Sequence, residues 1–168
     1  MECPVSSPEP PTLDLHGTGH CAAFNFRRTA RAVTRLYDEA LQPTGIRSTQ
    51  FAILVGVKKG EPIAIGELGR TLGIDRTTMT RSLRLLTKEG LLTVSKRAAK
   101  RQRFVAITPK GVEVLERAVP VWREMQARFV NTVGPEYWRD LRSELERLAG
   151  IADGLDSEIN TPPGNAPR

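Results

Sequence analysis

Two short helical segments joined by a very short turn constrain the fold of this chain more than any other feature. The first segment, "AIGELGRTLGI", contains Gly73, and the second, "DRTTMTRSLRLLTKEG", opens on Asp75, a favoured helix N-cap, and stops at Gly90. Apolar residues recur in both segments at three- and four-residue spacing. These residues are Ile65, Leu68, Leu72, Met79, Leu83 and Leu86. Two helices connected this tightly are typical of a helix-turn-helix.

The period of the sequence changes from helical to alternating after Gly90. The alternation predicts two β-strands, at residues 91–95 and 103–108, which form a hairpin. The stretch "KRAAKRQR", residues 96–103, contains five cations and no acid, and its part between the two strands, residues 96–102, supplies the hairpin loop. The order of elements therefore predicts a mainly α protein with a small β-hairpin wing, a winged helix-turn-helix.

The positive charge of the chain is concentrated in residues 70–103. This stretch contains ten Lys or Arg residues against two acids, Asp75 and Glu89, whereas the whole chain has a formal net charge of +6. The remainder of the chain is therefore net negative. Such a concentration is typical of a surface that binds a polyanion, with a merely solvated surface as the alternative.

The outward side of the second helix of the motif suits a DNA major groove. Opposite its apolar stripe it presents arginines, which can reach phosphates or guanine edges, and short hydroxyl side chains, which allow close approach. These residues are Arg76, Thr77, Thr80, Arg81 and Arg84. Because the basic hairpin follows directly, we interpret the two together as a surface for double-stranded DNA.

Four further helices are predicted around this unit. The second helix of the chain is capped by Ser48 or Thr49, and the fifth begins after Thr108 as N-cap and is expected to kink at Pro120. The apolar stripe of the first helix contains Phe26, Ala30, Val33, Tyr37 and Leu41. Those of the fifth and sixth contain Val112, Leu115, Val119, Trp122, Phe129, Leu141, Leu145, Leu148 and Ile151. These stripes favour a two-fold dimer, with completion of a monomer core as the alternative.

The composition divides the chain into one domain and two tails. Proline-rich ends predict disorder at residues 1–17 and 156–168. The domain is expected at 18–155, with a DNA-binding head at 46–108 and dimerisation helices at 18–45 and 109–155. No stretch approaches the ~20 apolar residues of a membrane span, and the N-terminus lacks a signal-peptide pattern. We therefore expect a cytoplasmic protein with no membrane partner.

Several segments resemble the multiple antibiotic resistance regulator (MarR) family of bacterial transcription factors. They are "TQFAIL", "IGELGRTLGIDRTTMTRSLRLLTKEGLL" and "RQRFVAITPKG", and the family's Leu-Thr-x-x-Gly signature corresponds to residues 107–111. The resemblance covers about residues 20–155. It implies a nucleoid-associated homodimer that binds a pseudo-palindromic operator, usually as a repressor. Release by a small ligand, such as a phenolic or aromatic acid, or by oxidation is also implied.

The resemblance assigns roles within the basic segment. Arg76, Thr77, Thr80 and Arg81 correspond to the groove-reading part of the recognition helix, and Arg101 to the wing arginine that enters the minor groove. Lys96, Arg97, Lys100 and Arg103 correspond to its phosphate-side supporters. The family's wing commonly has an aspartate two residues before this arginine, where this chain has Ala99. We hypothesise stronger sequence-independent affinity with a steep salt dependence.

The signal that such a regulator would sense is open. Cys21 opens the first helix, where a thiol can become oxidisable, and Cys3 could resolve it, but an ordinary small residue at a helix start is the favoured reading. Arginines of the first helix, Arg27, Arg28 and Arg31, could pair with a ligand carboxylate. The group His16, His20 and Cys21 could suggest a metal, but a polar lead-in to the helix is favoured. We expect no metal and no cofactor.

Three other function classes are alternatives to DNA binding. An enzyme would need a catalytic constellation, which two histidines near the tail and two separated cysteines do not supply. RNA binding would need stacking aromatics, and Phe104 is alone in the basic segment. A winged helix used only for protein contact remains the alternative, but it would not need cations on both the helix and the hairpin.

Overall fold

The computed structural model describes residues 13–96 and 102–159, the side chains of Lys96 and Glu158 excepted. Short 3-10 turns at Thr18–His20 and Gln42–Thr44 flank the first helix. The helices are α1 (Ala22–Leu41), α2 (Ser48–Gly60), α3 (Ile65–Leu72), α4 (Arg76–Lys88), α5 (Pro109–Val133) and α6 (Pro135–Ile159). The strands are β1 (Ile63–Ala64), β2 (Leu92–Lys96) and β3 (Arg103–Ile107). The predicted class, a mainly α winged helix-turn-helix, is confirmed.

The sheet has three strands, whereas the sequence predicted two. Its order is β1-β3-β2 and both pairings are antiparallel, with Val105 opposite Ile63 on one side and Val94 on the other. The prediction missed β1 because two residues are too short to show an alternating pattern. As a result β3 is the central strand, and the hairpin is joined to the segment between α2 and α3.

The apolar stripes of α3 and α4 meet in one core. Leu68, Met79, Leu83 and Leu86 are buried there, as predicted, with Val105 of β3. The core continues into the first half of α5, where the buried residues are Val114, Leu115 and Ala118. This half of α5 therefore packs on its own chain. We refer to the unit from α2 to β3 as the head.

The start of α2 differs from the prediction. Its N-cap is Arg47, and neither Ser48 nor Thr49 caps it. The backbone N–H and the hydroxyl of Ser48 both donate to Oδ1 of Asp38 in α1, at 2.7 and 2.6 Å. Because this carboxylate from α1 satisfies the first N–H of the helix, Ser48 becomes a helical residue instead of a cap.

Aromatic side chains connect the head to the long helices. Trp122 of α5 stacks on Phe51 of α2 with ring centroids 5.7 Å apart, and Phe129 lies edge-on to Trp138 of α6 at 5.5 Å. Tyr37 of α1 donates a 2.6 Å hydrogen bond to Gln126, and burial raises the pKa of its phenol. The α5 helix runs continuously through Pro120, and the kink expected there stays a prediction.

Much of α1 and α6 is uncovered in the single chain. Phe26 and Ala30, from the predicted apolar stripe of the first helix, are both exposed in the single chain. Exposed large apolar residues on the two helices are Phe24, Phe26, Leu145, Leu148, Ile151, Leu155 and Ile159. The α6 helix extends to Ile159, four residues past the predicted boundary. Within the described ranges, no helix has the length and apolar character needed to traverse a membrane.

Candidate nucleic-acid interface

The turn between α3 and α4 is built by backbone hydrogen bonds around Gly73. This residue adopts a left-handed φ of 61° and donates its N–H to the Arg70 carbonyl at 3.3 Å. The N–H of Ile74 donates to the Gly69 carbonyl at 2.9 Å. Glycine tolerates this backbone conformation without steric cost, so α3 ends sharply and α4 can start three residues later.

Asp75 caps α4, as the sequence predicted. Its Oδ1 accepts the backbone N–H groups of Thr77 and Thr78, each at 2.9 Å. Hydrogen bonds from Thr78, first from its side chain and then from its backbone, hold the pKa of this carboxyl below its ordinary value. The ionised carboxylate complements the positive end of the helix dipole and fixes where α4 begins.

The outward face of α4 is cationic. The residues predicted for it, Arg76, Thr77, Thr80, Arg81 and Arg84, are all exposed. Successive residues turn by about 100°, so Thr77, Arg81 and Arg84 lie opposite the buried stripe, while Arg76 and Thr80 lie nearer its edge. The hydroxyl of Thr80 donates back to the Arg76 carbonyl at 2.7 Å. It therefore offers a ligand its methyl group and an acceptor oxygen.

Two exposed residues of this face were not predicted from the sequence. Lys88, seven residues after Arg81, extends the cationic stripe toward the end of α4. Leu85 is 47% exposed and lies between the arginines and Lys88. Their helical spacing from Arg81 is the signal that could have identified both. An apolar side chain here can contact a thymine methyl group.

The wing strands follow α4 directly. Leu91 and Leu92 are buried in the same core as Leu86 of α4, and β2 pairs with β3 up to Lys96 opposite Arg103. Arg103 is exposed. The other predicted wing cations, Arg97, Lys100 and Arg101, and also Ala99, lie outside the described residues.

The arginines of α4 are not neutralised by acids of their own chain. Across residues 13–96 and 102–159, the ion pairs are Lys58–Glu61, Arg139–Asp140, Arg142–Glu146 and Arg147–Glu144. None involves Arg76, Arg81 or Arg84. Their charge is therefore available to an external anion, which is the arrangement that phosphate and guanine contacts require.

The predicted signal residues lie apart from this face. Cys21 is the N-cap of α1 and its thiol is exposed and free, while Cys3 lies outside the described residues. Among the residues described, no group of three or more His, Cys, Asp or Glu side chains is placed to hold a metal ion.

The arginines expected to meet a ligand are exposed on α1. Arg27 and Arg31 line an open depression of about 380 Å³, whose other lining residues are Ala30, Thr34 and Arg35. Arg28 is not among them. Because all five lining residues belong to α1, the single chain forms no enclosed pocket at this place.

A helix-turn-helix with a cationic second helix, followed by an antiparallel hairpin, defines a winged helix-turn-helix protein. A model of the MarR family matches residues 44–103, from just before α2 to the first residue of β3. The solved transcriptional regulator MosR of M. tuberculosis, in complex with DNA, is similar at 35% identity with a TM-score of 0.74. The similarity covers 80% of this chain and 98% of MosR. The chain belongs to the MarR family.

Two further relatives are more distant. An HTH-type transcriptional regulator of Staphylococcus aureus is 31% identical over 87 residues, which span 51% of this chain and 60% of that relative. MepR of S. aureus, solved as a DNA complex, has a TM-score of 0.68 at 17% identity over 78% of this chain and 98% of MepR. At that identity, MepR shows the shared fold alone.

Proposed function

We propose that this chain is a DNA-binding transcriptional regulator whose α4 lies in the major groove. The observation that carries the proposal is the unneutralised cationic face of α4, held opposite the core by the Asp75 cap and followed by the wing. The similar protein MosR, solved with DNA, supports it. In this role the chain binds and does not catalyse, and its place is the cytoplasm, at the nucleoid.

Each part of the surface has a distinct role in this proposal. Arg81 and Arg84 reach guanine edges or phosphates, Thr77 allows close approach, and Arg76 and Thr80 flank them. Arg101 enters the minor groove. The cations expected on the phosphates beside it are Lys96, Arg97, Lys100 and Arg103. Ala99 stands where the family commonly has an aspartate, so the wing has no acid to offset its cations. The logarithm of DNA affinity should therefore fall steeply with the logarithm of salt concentration. A slope as shallow as that of a wing stripped of its cations would contradict this.

The functional unit we propose is a homodimer. The exposed apolar residues of α1 and α6 lie on terminal helices outside the head, and a second copy would bury them. Two-fold symmetry places the two α4 helices at half-sites about 10 base pairs apart, which suits a pseudo-palindromic operator. We propose repression released by a small phenolic or aromatic-acid ligand as the mode of control. The proposed dimerisation helices lie within residues 18–45 and 109–155.

Selection from random duplex DNA with the purified full-length protein tests the function. The expected product is an inverted repeat with half-sites about one helical turn apart. A matched control is the double variant Arg81→Ala/Arg84→Ala, which keeps the fold but removes the two cations at the centre of the face. If the wild-type protein enriches no sequence over this variant, the alternative is a winged helix that contacts protein.

The exposed thiol of Cys21 supports one alternative signal. Oxidation at the start of α1 would control DNA binding in place of a ligand. Replacement by serine separates the two, because a Cys21→Ser protein that still leaves DNA on peroxide treatment excludes the thiol. Retention of the variant on DNA, with the wild type released, would instead favour redox control over ligand control.

A further inference from the structure

The end of α4 is tied to the start of α5 by hydrogen bonds to three consecutive carbonyls. Nζ of Lys110 donates to the Glu89 carbonyl at 2.8 Å. The hydroxyl of Thr108 lies 2.7 Å from the Gly90 carbonyl and 3.1 Å from that of Leu91. The backbone N–H of Thr108 also donates to the Leu91 carbonyl, at 3.1 Å. Carbonyls at and just beyond the end of a helix lack partners within it, and here α5 supplies them.

At Gly111, there is no room for a side chain between α5 and the segment that follows α4. Gly111 is buried, and a Cβ atom added to it would overlap the Leu91 carbonyl oxygen. Its N–H donates to the hydroxyl oxygen of Thr108 at 3.0 Å, so this one hydroxyl both caps α5 and contacts the segment that leaves α4. The start of α5 is therefore in direct contact with the backbone of Leu91, in the segment that leaves α4, and no side chain separates them there.

Lys110 adds charge to this contact. Its ammonium group lies at the negative end of the α4 dipole, where a cation is stabilising. The carboxylate of Glu89 points to a different partner, since its Oε2 accepts from Nε2 of Gln50 in α2 at 3.4 Å. The lysine therefore binds the helix end itself and is not held in a side-chain ion pair with Glu89.

We propose that Lys110 is a positioning residue for DNA recognition. By binding the carbonyl at the end of α4, it fixes the angle between α4, which carries the recognition face, and α5. The recognition helix and α5 then move as one body. This inference rests on the proposed DNA-binding function and adds to it a residue that lies outside both the predicted reading face and the predicted wing.

The variants Lys110→Met and Lys110→Arg test the proposal in the full-length protein. Methionine keeps the aliphatic stem and removes the charge and the donors, whereas arginine keeps both. Binding to the duplex selected from random DNA and to a scrambled duplex is measured across a salt series. For Lys110→Met we expect an affinity loss on the order of fivefold for the selected duplex, no loss for the scrambled one and an unchanged salt slope. Lys110→Arg restores wild-type affinity.

Two results would overturn the positioning role. If Lys110 contacts a phosphate directly, Lys110→Met weakens both duplexes equally and reduces the salt slope by about 0.9. If its role is only structural, Lys110→Met lowers the melting temperature and impairs both duplexes, and the specificity ratio does not change.

A measurement without DNA separates this inference from the proposed function. The N–H groups of Glu89, Gly90 and Leu91 donate to carbonyls within the last turn of α4. Lys110→Met should raise their hydrogen-exchange rates severalfold relative to Lys110→Arg, because the helix end frays once its tether is removed. Equal exchange rates would overturn the tether. A wild-type protein that selects no DNA would overturn the proposed function, whatever the exchange result.

Discussion

At Gly111, α5 approaches the backbone of the segment after α4 closely. A Cβ atom there would overlap the Leu91 carbonyl oxygen, which belongs to backbone and cannot rotate away. We expect Gly111→Ala to destabilise the protein by about 2 kcal/mol through overpacking. Denaturant unfolding at a fixed protein concentration measures the change, since association of copies also contributes to stability.

Gly66 supplies the matched control for this substitution. It lies on α3, no atom approaches within 4 Å of an added Cβ, and neither glycine has a left-handed φ. Gly66→Ala should stabilise α3 by about 0.5–1 kcal/mol, because alanine loses less backbone entropy in a helix. Equal stabilities for the two alanine variants would contradict the close contact at Gly111.

Asp75 gives the start of α4 a dependence on pH. Hydrogen bonds with Thr78 lower the pKa of its carboxyl in the folded state below the ordinary value of 3.8. The stabilisation is therefore complete at pH values above 3.8 and is lost as the pH falls through the lowered folded pKa. Asparagine can also cap a helix but does not titrate, so Asp75→Asn should lack this dependence.

The measurement is the melting temperature of wild type and Asp75→Asn from neutral pH into acid. The wild type should melt higher at neutral pH, and the difference should shrink toward zero at the acid end. A difference that stays constant across the series would show that the carboxylate charge does not stabilise α4.

At the scale of elements, the centre of the α4 face is the most sensitive place for DNA binding. Arg81 lies opposite the buried stripe and has no acidic partner in the described chain. Arg81→Ala should weaken binding to the selected duplex by about 1–3 kcal/mol and relax its sequence preference. Titrations with the selected and scrambled duplexes measure both effects.

Arg139 on α6 is the control for this effect. It is exposed, like Arg81, but lies next to Asp140 at 3.2 Å and far along the chain from the wing. Arg139→Ala removes the same charge from the whole molecule. If both variants lose affinity equally, net charge and not the α4 face governs binding.

Local chemistry explains which elements could be predicted from the sequence. The turn from α3 to α4 depends on Gly73 and on the Asp75 cap, whose partners are two and three residues away, so its pattern lies within one short segment. The predicted N-cap of α2 was wrong because the N–H of Ser48 donates to Asp38 of another helix. The contact of Lys110 spans 21 residues and has no sequence pattern of its own. Sequence patterns predict the helices, the strands and which side of each is apolar, but not the contacts between these elements.

The sequence also could not distinguish apolar residues that are buried in the core of their own chain from those that stay exposed in the single chain. Leu115 and Ile151 both fit a helical apolar pattern, yet Leu115 is buried in the core of its own chain and Ile151 is exposed. The spacing of apolar residues along a helix indicates which side of the helix is buried, but not which surface covers that side. Only the packing of α5 on the head separates the two.

At the scale of the whole molecule, the exposed face of α6 is the surface on which the proposed homodimer depends. Ile151 is 47% exposed in the single chain, and we expect a second copy to cover it. Ile151→Glu would bury a charge at that contact, which costs several kcal/mol unless the charge is paired, so it should shift the protein toward monomers. Sedimentation or light scattering measures the mass, and operator affinity should fall as the second half-site is lost.

Leu85→Glu is the matched control for assembly. Leu85 has the same 47% exposure as Ile151 but lies on the outward face of α4. This variant should keep the mass of the wild type and lose DNA binding through charge repulsion by the phosphates. A monomeric Leu85→Glu protein, or a dimeric Ile151→Glu protein, would contradict the proposal that the copies associate through α6.

The stacking of Trp122 on Phe51 gives the molecule an intrinsic optical reporter. The chain has only two tryptophans, and the other, Trp138, lies at the junction of α5 and α6 against Phe129. A Trp138→Phe protein would therefore emit from Trp122 alone, at the place where α5 crosses the head. Any rearrangement that separates these two rings changes the surroundings of the indole, and with them its fluorescence. Movement of the head during a change of state thus becomes visible in solution without a dye.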